Sequence, residues 1–199
     1  MSRKVFDKLA SAAGIVAVVI LLVAGGLLMW GYSFANSNVH DQLAMQQIYF
    51  PPKAAFAHPK AGTEITPSMI PSVSQYAGQQ VLTGPQAKTY ANNFIAVHLS
   101  EMPYGGVYSK VSAAQMANPN NAKLTALKAT VFQGTTLRGM LLEAYAFWMI
   151  GQVMFWGAIA SFVGALIMAI LVALGFAHAR KTAPEKEIFP AHATPSPAH

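Results

Sequence analysis

Two long stretches without a charged side chain, residues 10–35 and 144–177, constrain this chain more than any other feature. About 20 apolar residues cross the hydrocarbon core of a bilayer, so the first run is long enough to span it with some tilt. The second makes a helix of roughly 51 Å at about 1.5 Å per residue, well over the core thickness, which predicts that part of it projects beyond the membrane. Trp30 and Tyr32 sit near the far end of the first run, where amphipathic rings favour the membrane–water boundary. Only 10% of all residues are charged, against roughly 25% in a soluble domain.

The charges that remain set the expected topology. Arg3, Lys4 and Lys8 precede the first run, and Arg180, Lys181 and Lys186 follow the second. The positive-inside rule then places both termini, residues 1–9 and 180–199, in the cytoplasm and residues 36–143 outside it, at a plasma (inner) membrane. The first run exceeds the 7–15 residues usual for a signal-peptide core, and Ser33-Phe34-Ala35 is a poor cleavage site, so an uncleaved anchor is expected. The net charge of +6 comes from scattered basic residues with no stripe, which disfavours nucleic acid as a partner. Cysteine is absent, excluding disulfides, thiolate metal sites and cysteine nucleophiles.

Between the spans the pattern is helical with one irregular stretch. Val39, Leu43, Ala44 and Gln47 extend the first helix outward until Pro51-Pro52. Residues 51–84 hold five prolines and no sustained period, and read as an irregular connection laid over the helices. Thr83-Gly84-Pro85 then opens a helix over about 85–101, with Ala87, Tyr90, Ala91, Phe94, Ile95, His98 and Met102 on one stripe. A break at Met102-Pro103-Tyr104-Gly105-Gly106 and a short helix over 107–117 follow. Asn121 caps a long helix that meets no proline before Pro184 and runs into the second span, residues 144–179 with its outer extension. The tail, residues 181–199, is rich in Pro, Ala and His and is expected to be disordered, with His192 and His199 incidental. The fold class expected is an all-α membrane protein: two transmembrane helices and a small helical, partly irregular extracytoplasmic domain.

Few residues carry chemistry. His98 and Met102 lie four apart, where a helix brings side chains together, and imidazole with thioether suits copper. Arg138 and Glu143 mark the point where the long helix nears the membrane, as an interfacial charge pair or with Lys53 as partner to Glu143. Gly157, Ser161 and Ala165 place small residues at every fourth position, with Gly14, Ala17 and Ala24-Gly25-Gly26 in the first span, a pattern for close helix packing. Four carboxylates in the outer segment form no acid–base motif. No phosphate loop, dinucleotide fingerprint, zinc-protease motif or nucleophile elbow occurs, so no enzymatic activity is expected.

Tyr90-Ala91-x2-Phe94-Ile95-x2-His98-Leu99-x2-Met102, Gly106-x-Tyr108 and Phe132-x-Gly134-x2-Leu137-Arg138-Gly139-x-Leu141-Leu142-x2-Tyr145 form a further pattern. Together with the two-span layout they resemble a family of small actinobacterial membrane proteins, whose members often carry the label aromatic ring-opening dioxygenase. That label implies iron held by His and Glu, a set this sequence does not offer on a recognisable scaffold, so the resemblance implies topology and not a mechanism. The function expected is a non-enzymatic accessory or scaffold subunit of a larger inner-membrane complex of respiratory or monooxygenase type. Its partners would be integral membrane subunits, the lipid bilayer and a possible second copy, with no cofactor. The alternative is an extracytoplasmic copper-binding or copper-delivery protein built on His98 and Met102.

Overall fold

A computed structural model describes residues 3–60 and 62–181, and these are helical apart from turns and one isolated antiparallel bridge, Tyr49 to Gln80. The remainder of the tail, and the expectation of disorder there, lie outside the described residues. Two helices are long and apolar enough to cross a membrane: α1, Arg3–Gln46, and the last helix, Ala122–Lys181. A core helix of a water-soluble protein is mostly buried, whereas 11% and 6% of their most apolar windows are buried here. The chain divides into two compact units, Met1–Trp30 with Met154–His199, and Gly31–Val153.

The first unit is an antiparallel helix pair. Within this unit the buried and half-buried positions of α1 include Asp7, Ser11, Gly14, Val18, Leu21, Gly25 and Leu28, alternating steps of four and three, with Ala17 and Ala24 flanking them. The facing helix answers with Ala158, Ser161, Ala165, Met168, Val172, Gly175 and Ala179 at the same average step. A 3.5-residue repeat is that of left-handed supercoiled helices. Glycine is needed where the backbones approach most closely. A Cβ at Gly25 would lie 2.7 Å from the Phe162 ring, and one at Gly14 would overlap the Val172 side chain.

The second unit has a core of larger side chains. Leu43, Phe50, Met69, Val73, Val81, Ala87, Ala91 and Leu141 are all nearly inaccessible. Residues 51–84, expected as a connection laid over the helices, are part of that core. They form a 3₁₀ turn, Lys53–Ala57, a second, Pro67–Met69, then α2, Ile70–Val73, and a third 3₁₀ turn, Ser74–Tyr76. The prolines keep each turn short, yet Ile65, Met69 and Val73, four apart, all point inward. Hydrogen bonds from Phe50 N to Gln79 O at 2.9 Å and Val81 N to Ile48 O at 2.8 Å close the loop.

The next helix is continuous but changes its winding: α3, Gly84–Thr89, a π-helical turn, Tyr90–Ile95, and α4, Ala96–Glu101. Its start is a capping box in which the Thr83 hydroxyl accepts from Gln86 N and the Gln86 side chain accepts from Thr83 N. Ala87, Ala91, Ile95 and Leu99 are all buried, each four after the last. At 3.6 residues per turn such a series drifts around the helix by about 40° per step, and the wider π turn absorbs that excess. Tyr104, Gly105 and Gly106 all adopt positive φ, and at Gly106 a Cβ would collide with the Leu99 carbonyl. There follow α5, Tyr108–Ala117, and α6, Ala122–Lys181, whose first turn is capped by Asn121 Oδ1 accepting from Lys123 N at 3.0 Å and Leu124 N at 3.3 Å.

Candidate functional site

Several polar side chains of the second unit meet along α6. The helix of residues 84–101 runs antiparallel to it, with Gly84 against Trp148 and Leu99 against Gly134. Between these ends lie two polar rungs. Lys88 Nζ donates to Tyr145 Oη at 3.3 Å and stands 4.7 Å from the ring centroid, while Tyr145 stacks on Trp148 at 5.9 Å. Arg138 Nη2 donates to Asn92 Oδ1 at 2.9 Å, and Arg138 Nε is buried without a partner. Asn92 belongs to the π-helical turn, so the altered winding is what presents it to α6.

Arg138 is therefore tied to Asn92, and no ion pair joins it to Glu143 among the described residues. Five residues along an α-helix amount to about 140° beyond a full turn, which sends the two side chains to different faces. Lys53 lies elsewhere, in an open depression with Phe56 and Ser74. Glu143 is exposed and lines a groove of about 350 Å³, whose other wall carries Asn38, Gln42 and Gln46 of α1. Met140 and Phe147 complete its α6 side.

His98 ends a column of rings: Tyr76 to Phe50 at 5.1 Å, Phe50 to Tyr90 at 5.2 Å, Tyr90 to Phe94 at 4.7 Å and Phe94 to His98 at 4.6 Å. Burial raises the Tyr90 phenol above its usual pKa of 10.0, and the negative charge of Glu64 adds to the rise. His98 lies in the last turn of α4, and Met102 follows as its C-cap. The helix stops at Glu101, and Met102 is extended, φ −74° and ψ 157°, because the residue before a proline is driven out of the helical region. Met102 packs partly buried against the apolar core. Among the described residues no three of His, Asp and Glu converge where they could hold a metal ion.

In the first unit Ala165 is buried, Ser161 is half-buried, and a Cβ at Gly157 would meet Leu28 at 3.3 Å. Near one end of the same seam, Asp7 Oδ2 lies 3.8 Å from His178 Nε2, and Ser11 is buried against Gly175. Sequence reasoning missed this cluster, together with Asn92, Lys88 and the amides of the groove. The three-and-four spacing of Asp7, Ser11 and Gly14 would have flagged the first, and the four-residue spacing of Asn38, Gln42 and Gln46 the last. No protein-family model matches this chain, and no curated protein or solved structure matches it.

Proposed function

We propose that this chain is a non-enzymatic accessory or scaffold subunit that packs against a larger inner-membrane assembly. In this reading α1 and α6 both cross the bilayer, the termini are cytoplasmic and residues 36–143 are extracytoplasmic, following the basic flanks of the two spans. One observation carries the reading. The helix pair of the first unit buries Gly14, Gly25, Ala158 and Ala165 in its own seam and turns Val19, Ile20, Val23, Trp156, Val163 and Ile170 outward, each at least half exposed. Lipid can cover such a face, and so can another transmembrane subunit, because both offer apolar contacts. The groove beside Glu143 adds a polar feature at the level where the apolar run of α6 begins, the place where a neighbouring subunit gains register and orientation.

Purification from native membranes in a mild detergent, with mass spectrometry of the co-eluting proteins, tests the assembly. Membrane subunits at fixed stoichiometry are expected; a lone monomer overturns the proposal. The absence of cysteine makes the topology directly measurable. A membrane-impermeant maleimide on intact cells should label Ser109→Cys and spare Thr182→Cys, and the opposite pattern refutes the orientation.

A further inference from the structure

We infer that the groove between α1 and α6 in the second unit is a binding site for the headgroup of a phospholipid bearing a primary ammonium, with Glu143 as its counter-ion. The inference rests on the proposal that the two long helices cross a bilayer. Gly151 lies beside Tyr32 and Ala35, which sets α6 antiparallel to this part of α1. That register puts Glu143 level with Gln42, and Phe147 level with Asn38, one turn nearer the apolar run.

Along the groove Glu143 thus stands opposite the Gln42 amide, and one turn nearer the apolar run the Asn38 amide stands opposite Phe147, whose apolar wall Ile150, half exposed, continues. An aminoethyl phospholipid presents an ammonium, an anionic phosphate and then acyl chains, to meet Glu143, the Asn38 amide and the apolar wall in turn. Glu143 forms no ion pair, and the side-chain amides of Asn38 and Gln42 make no hydrogen bond within the described residues, so each is free to meet a ligand. A single carboxylate beside neutral amides is a poor site for a divalent cation, which takes six or more oxygen ligands when it is calcium. It matches one monovalent ammonium, whose N–H groups form charge-assisted hydrogen bonds to carboxylate oxygens.

Native mass spectrometry of the full-length protein in mild detergent provides the test. Phosphatidylethanolamine and phosphatidylcholine of identical acyl chains are added in equal amounts. N-methylation keeps the charge but removes every N–H donor. The ethanolamine lipid should be retained about tenfold more than the choline lipid, the ratio that one charge-assisted hydrogen bond supplies. Glu143→Gln should abolish the preference while leaving total lipid binding in place. Equal retention of the two lipids by the unaltered protein overturns the inference, and that comparison needs no variant to fold. A preference that survives in Glu143→Gln also overturns it. So does loss of a co-purifying subunit in that variant with the lipid ratio unchanged, which would assign Glu143 to a lysine or arginine of a partner. A carbonate wash of membranes separates the two levels of failure. Release of the chain sinks the spanning proposal itself, whereas a retained chain without lipid preference sinks only the headgroup site.

Discussion

The two units of this molecule distribute residue size in opposite ways. In the first, the fully buried positions are small, Ser11, Gly14, Gly25, Ala158 and Ala165, and Val19, Ile20, Val23, Trp156, Val163 and Ile170 are at least half exposed. In the second, Phe50, Leu43, Met69 and Leu141 lie inside, while Asn38, Gln42 and Gln46 line the surface. The inversion reflects what each helix contact can gain. Burying a large apolar side chain away from water is worth about 1.5–3 kcal/mol, and that term rewards the second arrangement. Between helices whose alternative neighbour is equally apolar the term vanishes, leaving close backbone approach as the source of attraction. Under the proposed placement, lipid surrounds the first unit and water most of the second.

The largest effect should come from the second unit. Phe50→Ala deletes a ring packed against Tyr76 and Tyr90, and should cost about 3–5 kcal/mol of unfolding free energy in a urea titration of the detergent-solubilised chain. A cost under about 1 kcal/mol would mean that the large residues there are not a core, and the comparison would break. In the first unit the corresponding lesion is an added side chain. Gly25→Val drives methyl groups into the Phe162 ring and should destabilise the helix pair by about 1–3 kcal/mol. Trp156→Ala, although it removes far more volume, should change pair stability by less than about 0.5 kcal/mol, because that ring is 66% exposed. The reverse ranking, with Trp156 costly and Gly25 neutral, would place the packing surface on the other side of α6.

The two apolar helices and the all-helical class were legible because long uncharged runs and three-and-four spacing act locally, over distances a sequence displays. Thr83, Pro85 and Asn121 were legible for the same reason, since a cap is a relation among neighbours. That Ile65 and Met69 pack was legible from the number of apolar residues in the proline-rich stretch, but the four-residue spacing that brings Val73 in with them was not, because prolines interrupt the period. The π-helical turn was not anticipated within the helix expected over residues 85–101. Ala87, Ala91, Ile95 and Leu99 repeat every four residues, a step that no straight α-helix keeps on one face, but the neighbouring Tyr90, Phe94 and His98 complete an ordinary three-and-four stripe that hides the mismatch. The link from Arg138 to Asn92 joins positions 46 apart in the chain, and only tertiary packing selects that partner over Glu143. The same holds for Asp7 and His178, brought together by helices from opposite ends of the chain.

A smaller effect sharpens the comparison at the helix entry of the second unit. Thr83→Ala removes an acceptor for Gln86 N and loosens the reciprocal bond, and should cost about 1 kcal/mol by the same urea titration. No loss would show that Gly84 packed against Trp148 holds the helix start by itself.

The smallest expected effect probes how dry the second unit is. Tyr90 ionises above the ordinary value of 10.0, chiefly because burial disfavours the phenolate and secondarily because Glu64 is negative. A raised pKa in the folded state means that the folded chain holds this proton more tightly than the unfolded chain does. The contribution to stability is therefore fully present below about pH 10 and is lost as the pH rises through the raised value. An absorbance titration of tyrosinate, taken as the difference between the unaltered protein and Tyr90→Phe, should place the Tyr90 midpoint above that of free tyrosine. Glu64→Gln should lower the midpoint only partway, because Glu64 is exposed and its field is screened by solvent. A full return to the ordinary value in Glu64→Gln would make the charge the whole cause, and the ring column around Tyr90 would then be wetter than its packing against Phe50 and Phe94 requires.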